Sequence, residues 1–431
     1  MTPRPLGTSW RAWAGIGASA GLLLLASIHR FAVGTLAGSL MAEFGATAVH
    51  LGVLASLYFY LYGAMQVPAG ILADTLGPRR TLVASGVCLA VGAAVSASAS
   101  DLGTAYVGRV LVGLGAAPIF VNSLRLLASW FDPARFATLL GLINGSGSVG
   151  NFLAGAPLAA AADSVGWRGA FTGIAALTVV VTAVAWILVR DRPAGDRHAT
   201  PAESRLTLAD VRAIAGNAEI WKALVIKAGL DSGLFLFFAV WAVPYLGHVY
   251  GLSRAAASTY VSVSVVGFAL GAPLLGLVSD RVFMSRRIPL LLGSLAFALL
   301  WIVVLVPPRG SWGPALMGVI TFAMGFAASS LLLTLSVARD NARPHTAGIA
   351  TAFVNAGGFL SAAVFQVVGS AIMDLYWTGE MAAGVRVYPM AAFQAAFAAC
   401  LVAAAVSVVV SFRLRERHGA SAARPAFRGF R

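Results

Sequence analysis

The chain has 431 residues, of which 59% are hydrophobic and only 11% charged, and its formal net charge is +14. Soluble domains carry about 25% charged residues, so a water-soluble enzyme or binding module is excluded and a membrane protein is indicated. The basic excess could suit nucleic acid, but its distribution along the chain argues against that partner.

A membrane-crossing helix needs about 20 apolar residues, and the sequence can be tiled with twelve, at 14–40, 49–73, 81–99, 103–130, 135–162, 167–190, 220–247, 255–280, 287–306, 312–338, 345–375 and 388–413. Arg4 and Arg11 before span 1 imitate a signal peptide. Span 1 is too long for such a segment, contains Arg30 and has no small-residue cleavage site, so it reads as a retained helix. His29 and Arg30 lie near its middle, ahead of the small residues Gly34, Ala37 and Gly38. Ionisable groups at such depth are costly and point to function; the structural alternative is an Arg satisfied by carbonyls and nearby polar side chains. Tyr58, Tyr62 and Gln66 recur every fourth residue in span 2, placing a polar-aromatic stripe on one helix face, either a pocket wall or packing.

Span 2 closes on Gly70-Ile-Leu-Ala-Asp74-Thr-Leu-Gly77-Pro-Arg79-Arg80. Gly70 allows tight helix packing, Asp74 stands where a carboxylate can meet a helix N-terminus, and Gly77-Pro78 makes a turn. Arg79 and Arg80 hold the loop at the inner surface. Span 4 carries Arg109 with Gly113 and Gly115, then Asn122 and Arg125. Arg109 either acts inside the bundle or snorkels to the headgroups, the expectation also for Arg125.

In span 5, Gly145-Ser-Gly147-Ser-Val-Gly150 matches a dinucleotide-binding fingerprint, but no strand precedes it, so it is a packing surface. Asn144-Gly-Ser146 matches a glycosylation sequon inside the same span. The hydrophobic pattern stops over 191–219, where 206–215 can form a short amphipathic surface helix or part of a plain tether. In span 7, Lys227 and Asp231 are four residues apart and share a face. They read either as a self-neutralising pair or as a coupling device in which Asp231 takes a proton. Trp241 and Tyr245 follow on the same span, as cavity lining or interface belt.

Gly276-Leu-Val-Ser-Asp280, followed by Arg286-Arg287, then repeats the loop of span 2, with Phe283 near the position of the turn glycine. A second echo links Ala137–Gly147 of span 5 to Ile349–Gly358 of span 11, each with an Asn (Asn144, Asn355) among small residues. Asn151 and Gln366 are interhelical hydrogen-bonding candidates. Cys88 and Cys400 both fall inside spans and read as fillers. No HExxH, no GxSxG and no cluster of His, Cys and carboxylates occurs, so neither enzyme chemistry, metal nor cofactor is expected.

With both termini inside, four of the 30 Arg and Lys fall in outer loops (Arg168, Arg254, Arg309, Arg386) and four within spans (Arg30, Arg109, Arg125, Lys227). The rest lie in inner loops and tails or at the inner ends of spans. This positive-inside pattern assigns the charge to orientation and anionic lipid.

The two loop copies, six spans apart, predict an all-α membrane protein of twelve helices in two pseudo-symmetric halves. The boundaries are 1–190 for the first bundle, 191–219 for a cytoplasmic linker, 220–417 for the second bundle and 418–431 for a basic tail. Gly70-x-Leu-Ala-Asp74-x-x-Gly77-x-Arg79-Arg80 resembles the signature loop of the major facilitator superfamily. Arg109-Val-Leu-Val-Gly113-Leu-Gly115 resembles a second motif of that superfamily, associated with proton-coupled transport. Ile28-His29-Arg30-Phe-Ala-Val resembles span 1 of its organic-anion symporters, in which an Arg helps bind a carboxylate. The glycine-rich span-5 motif of its drug-efflux antiporters is mostly missing, since Gly155-Ala-Pro157 splits the Gly-Pro pair.

The resemblance implies a secondary transporter working by alternating access in the inner membrane, multi-pass with both termini cytoplasmic and monomeric. Its expected partners are a small-molecule substrate, a coupling proton and membrane lipids. A small carboxylate-bearing anion is favoured because midplane basic groups outnumber Asp231, and proton symport because Asp231 or His29 can titrate and no cage of oxygen ligands for a cation is evident. Substrate contacts would come from Arg30, Tyr58, Tyr62, Gln66, Lys227 and Asn355, proton coupling from Asp231, His29 and Arg109. Gating would use Gly70, Asp74, Gly77, Arg79, Arg80, Gly276, Asp280, Arg286 and Arg287. The alternatives are a proton-driven efflux antiporter for amphipathic compounds and a non-transporting receptor or assembly factor.

Overall fold

The structure is a computed structural model and describes residues 10–191, 207–306, 313–382 and 384–416. The tail 418–431 and the linker stretch 192–206 lie outside the described residues, as does the side chain of Asp74.

Among the described residues, ten continuous helical segments are long and apolar enough to cross a membrane. The other two expected spans, 49–73 and 135–162, are each interrupted. The first consists of α3 (Ala48–Ala64) and α4 (Gln66–Thr75), broken at Met65. The second consists of α7 (Pro133–Leu153) and the first turns of α8 (Ala156–Leu188), broken at Ala154–Gly155. Each break has a proline behind it. Pro68 and Pro157 lack the N–H that would bond the carbonyl four residues back, and those carbonyls belong to Ala64 and Leu153, the last residues of α3 and α7. Gly166, at φ +75°, then turns the chain within α8 from span 5 into span 6.

The remaining helices of the first half are α1 (Trp10–Thr35), the short α2 (Ala37–Phe44), α5 (Pro78–Ser98) and α6 (Leu102–Trp130). The linker contributes α9 (Leu208–Ala215), so the expected short helix is present. Thr207 and Asp210 form a reciprocal cap at its start. Asp210 also meets His345 at 2.9 Å, and Asn217 donates to the Asn341 carbonyl at 2.9 Å, tying the linker helix to the loop before span 11. Hydrogen bonds from the Thr207 hydroxyl, His345 and the Thr207 amide hold the Asp210 carboxyl down to about 2.

Span 7 comprises α10 (Ala218–Leu236), a π-helical stretch at Phe237–Trp241 and α11 (Ala242–Tyr250). The second half continues with α12 (Arg254–Leu277), α13 (Arg287–Leu305), α14 (Pro314–Ala328), α15 (Leu333–Asp340), α16 (Ala347–Leu375) and α17 (Met390–Phe412). A two-residue hairpin, β1 (Met381–Ala382) with β2 (Val385–Arg386), sits before the last helix.

The termini and the linker mark one end of the bundle. Hydrogen bonds joining the halves cluster at the far end. Asp374, in the last turn of α16, accepts from the Ala48 and Val49 amides at the start of α3, at 3.1 and 2.9 Å. Tyr388 donates to the same carboxylate at 2.7 Å and accepts from Ala48 N at 2.8 Å, while Arg386 approaches it at 3.3 Å. Arg254 pairs with Asp163 and donates to Ser39 at 2.7 Å. Ser262 bridges the break in span 5, donating to the Phe152 carbonyl and accepting from Ala156 N, both at 3.1 Å. The halves also pack along α3 and α16, where a Cβ on Gly52 would stand 2.5 Å from the Gln366 carbonyl. Trp241 and Tyr245 are fully buried, Trp241 donating to Ser370 at 3.0 Å. They are core and neither belongs to an interface belt.

Candidate functional site

Midway along the bundle, α1, α3, α10 and α16 bring together residues that the sequence scatters over more than three hundred positions. Arg30 on α1 is only partly buried, while the rings around it are buried. Its guanidinium carbon lies 5.8 Å from the Tyr58 ring, 5.4 Å from Tyr62 and 5.8 Å from Phe359. Ring faces carry negative charge density, so each attracts a cation at this range. Arg30 Nε is buried without a hydrogen-bond partner.

The stripe on span 2 forms as spaced. Tyr58 and Tyr62 stack at 5.7 Å, and Gln66, just beyond the break, accepts from Asn355 of the opposite half at 3.4 Å. Tyr58 is also shared. On its other side the Arg109 guanidinium stands 5.3 Å from the ring, so two cations from α1 and α6 flank one phenol.

Arg109 is 3% exposed, and its Nε donates to the Leu54 carbonyl at 3.2 Å. That excludes snorkelling for Arg109. Its Nη2 and the Nε2 of His29 are buried without partners. Both residues line a cavity of about 20 Å³ inside the first half, beside Ser96, Trp167 and Phe171, with room for one water. His29 stacks on Phe171 at 5.8 Å.

Lys227 and Asp231 face each other on α10, Nζ to Oδ2 at 2.9 Å, and both are essentially sealed from solvent. The contact is an ion pair whose angles fall outside hydrogen-bond geometry. Gly358 of α16 makes room for it, because a Cβ there would stand 2.1 Å from Asp231 Oδ2 and 2.9 Å from Lys227 Cε. The ammonium also lies 5.7 Å from the Phe359 ring.

Sequence reasoning did not single out Phe359, Phe59 or Phe235, which pack with Tyr62 into one aromatic wall. Isolated phenylalanines in apolar helices carry no signal. Gly358 was visible as the end of the span-11 echo, but its contact with the ion pair was not.

The two loops differ from their expected form. Gly70 and Gly276 face open space, with nothing within 4 Å of where a Cβ would stand, so neither makes the tight packing expected of Gly70. The halves are held at the far end, and these glycines lie toward the other. The start of α5 is met by Asp191, at the end of span 6, whose Oδ1 accepts from Arg79 N at 2.6 Å. Arg79 reaches the Trp186 carbonyl at 2.6 Å, and Arg80 is exposed. In the second loop Arg286 pairs with Asp280. Arg287 N donates to Glu416 at 2.7 Å, and its side chain lies over Phe412. The left-handed turn made by Gly77, at φ +85°, is made there by Met284, at φ +48°, one residue beyond Phe283.

A bundle of this length with two half-domains and charged groups near mid-depth defines a multi-pass membrane protein built like a transporter. The sequence profile of the Major Facilitator Superfamily matches residues 20–242 and 228–430, and the chain belongs to that superfamily. It is similar to a probable L-galactonate transporter of Escherichia coli, 24% identical over 77% of this chain and 76% of that one. Human monocarboxylate transporter 11 is 26% identical over 84% of this chain and 75% of its own. A probable sulfoacetate transporter of Cupriavidus necator is 24% identical over 61% of this chain and 63% of its own. Among solved structures, a bacterial homolog of the human lysosomal transporter Spinster, in an inward-facing and unoccupied conformation, superposes with a TM-score of 0.79. It covers 96% of this chain and 100% of that one at 17% identity, a likeness of fold alone.

Proposed function

We propose that this chain transports a small organic anion by alternating access, with proton symport as the coupling. The observation that carries the reading is Arg30, a partly buried arginine at mid-span whose Nε lacks a partner. A charge at this depth costs at least about 2.5–3.5 kcal/mol on insertion scales. Its planar fork matches a carboxylate in two parallel hydrogen bonds. The named solutes of the relatives above, galactonate, sulfoacetate and monocarboxylates, share an anionic group and little else.

Asp231 is the proposed proton acceptor. A proton on its carboxylate neutralises it and frees the Lys227 ammonium, 2.9 Å away, to meet the anion alongside Arg30. Loss of the proton restores the pair and ejects the anion. His29 is the proposed proton relay behind Tyr58, and Arg109, which faces the same small cavity and stays charged, sets the field around it. Gln66 and Asn355 close the site across the two halves.

Alternation would exchange the far-end contacts around Asp374 for packing at the other end, where Gly70 and Gly276 stand open. The loop residues Asp74, Gly77, Arg79, Arg80, Asp280, Arg286 and Arg287 would then act as the gate. The Arg and Lys distribution supports an inner-membrane location with both termini cytoplasmic, and a monomer suffices because the site is formed within one chain.

The test is a thermal-shift screen of the purified protein against organic anions, organic cations and dipeptides, followed by uptake in liposomes under an imposed pH gradient. Anions should stabilise the protein and accumulate with the gradient. Stabilisation by cations alone would replace this reading with efflux.

A further inference from the structure

Most polar groups around Arg30 are already spent, on one another or, for the Tyr58 and Tyr62 hydroxyls, on Arg30 itself. Lys227 holds Asp231, Gln66 holds Asn355, and Ser232 and Ser361 share a hydrogen bond at 2.7 Å. The Tyr58 hydroxyl donates to the Ala26 carbonyl at 3.4 Å. Arg30 faces the rings of Tyr58, Tyr62 and Phe359 and the two phenol hydroxyls, and beyond those hydroxyls the surroundings are carbon. The rings of Tyr62 and Phe359 lie 4.7 Å apart, those of Phe59 and Phe235 4.7 Å apart, and Phe31 extends the wall from Phe235 at 6.1 Å. Arg109, the other cation near Tyr58, is sealed behind that ring.

We infer that the anion bound here carries one carboxylate on an apolar body, aromatic or aliphatic, and is not a polyhydroxylated acid. This rests on the reading of Arg30 as the partner of an anion and adds the chemistry of the rest of the solute. The carboxylate takes the fork of Arg30, and the body lies against Tyr62, Phe359, Phe59 and Phe235. A sugar acid offers a hydroxyl on nearly every carbon, and each one moved from water to this wall loses its hydrogen bonds without replacement. An apolar body gains contact with the same rings. A second carboxylate would find Lys227 either neutralised by Asp231 or, once Asp231 is protonated, engaged with Arg30 on the first carboxylate. A single accessible cation sets a single charge, and the aromatic wall selects against hydroxyls.

The experiment uses the full-length protein in detergent and measures the affinities of phenylacetate, hexanoate, D-galactonate, phthalate and the neutral phenylacetamide. Phenylacetate and hexanoate should bind about tenfold or more tightly than galactonate and phthalate, and phenylacetamide should not compete. In Phe359→Ser, phenylacetate should weaken about tenfold while galactonate stays level or tightens. Stronger binding of galactonate in the parent protein would overturn the inference and leave the anion reading intact. Tightest binding of phthalate would overturn the count of one charge. If phenylacetamide binds as well as phenylacetate, or no anion binds, the anion reading itself falls, and this inference with it. Should Phe359→Ser fail to fold, the parent panel decides alone.

Discussion

The two halves of the bundle handle buried charge in opposite ways. The first half leaves its mid-depth cations without carboxylates: Arg30 and Arg109 flank the Tyr58 ring and rely on ring faces, tyrosine hydroxyls and one backbone carbonyl. The second half neutralises its own, since Lys227 and Asp231 meet at 2.9 Å on one helix, against Gly358. An unpaired guanidinium has free hydrogen-bonding capacity for a ligand. A closed ion pair has none until one member changes its charge. The contrast underlies the proposal that Arg30 in the first half holds the anion and that Asp231 in the second takes the coupling proton.

Removing Asp231 should break this contrast most severely. Losing one member of a buried pair typically costs about 3–5 kcal/mol, so Asp231→Ala should lower the melting temperature sharply. The double variant Lys227→Met with Asp231→Leu should recover most of that loss. Asp231→Asn should abolish uptake driven by a pH gradient while retaining exchange of solute across liposomes. Accumulation by that mutant would move the proton route to His29.

Arg30 is the converse case. Arg30→Ala should weaken binding of an organic anion about a hundredfold, or ~2.7 kcal/mol, while the melting temperature holds or rises. Arg30→Lys keeps the charge but loses the fork, and should fall between parent and Ala. Unchanged affinity in Arg30→Ala would make the two halves alike in function and sink the proposed division. Gly358→Ala sharpens the comparison from the other side, because its methyl would sit where Asp231 Oδ2 now lies. Such overpacking costs about 1–3 kcal/mol, and coupling should suffer before anion affinity does.

Two smaller effects test the ends of the bundle. Asp374→Asn keeps the shape but removes the charge that faces the start of α3. A carboxylate at a helix N-terminus is worth about 0.3–1 kcal/mol. The variant should therefore open the far end more often, read as faster labelling of a cysteine placed at Ser39. Met284→Gly relieves a left-handed backbone at an exposed position and should stabilise the protein by about 1 kcal/mol. A lower melting temperature in Met284→Gly would show that the side chain makes contacts outweighing the strain.

Much of this was legible in the sequence because membranes impose simple rules. Apolar length sets the spans, and a loop repeated after six spans sets the two halves. Local spacing also carried through, since residues four apart on a helix must share a face. Tyr58 meets Tyr62, and Lys227 meets Asp231, for that reason alone.

Breaks within spans were less legible. Pro68 and Pro157 end helices four residues upstream, yet Pro118 and Pro273 sit inside unbroken α6 and α12. A missing N–H permits a break, and the neighbours that resatisfy the freed carbonyl decide whether one occurs, as Ser262 does for Phe152 and Ala156.

The sequence by itself determined the all-helical membrane-spanning class, the repeat, the charge carried by each helix and every contact set by helical periodicity. The tertiary structure alone decided which charges remain unpaired, because pairing depends on the approach of helices far apart in the chain. It set Arg30 among rings from α3 and α16, put Asp374 at the start of α3 and Asp191 at the start of α5. It also brought Gly358 against the ion pair. Each is a contact across helices, where small residues and close packing fix the distance and no local pattern records it.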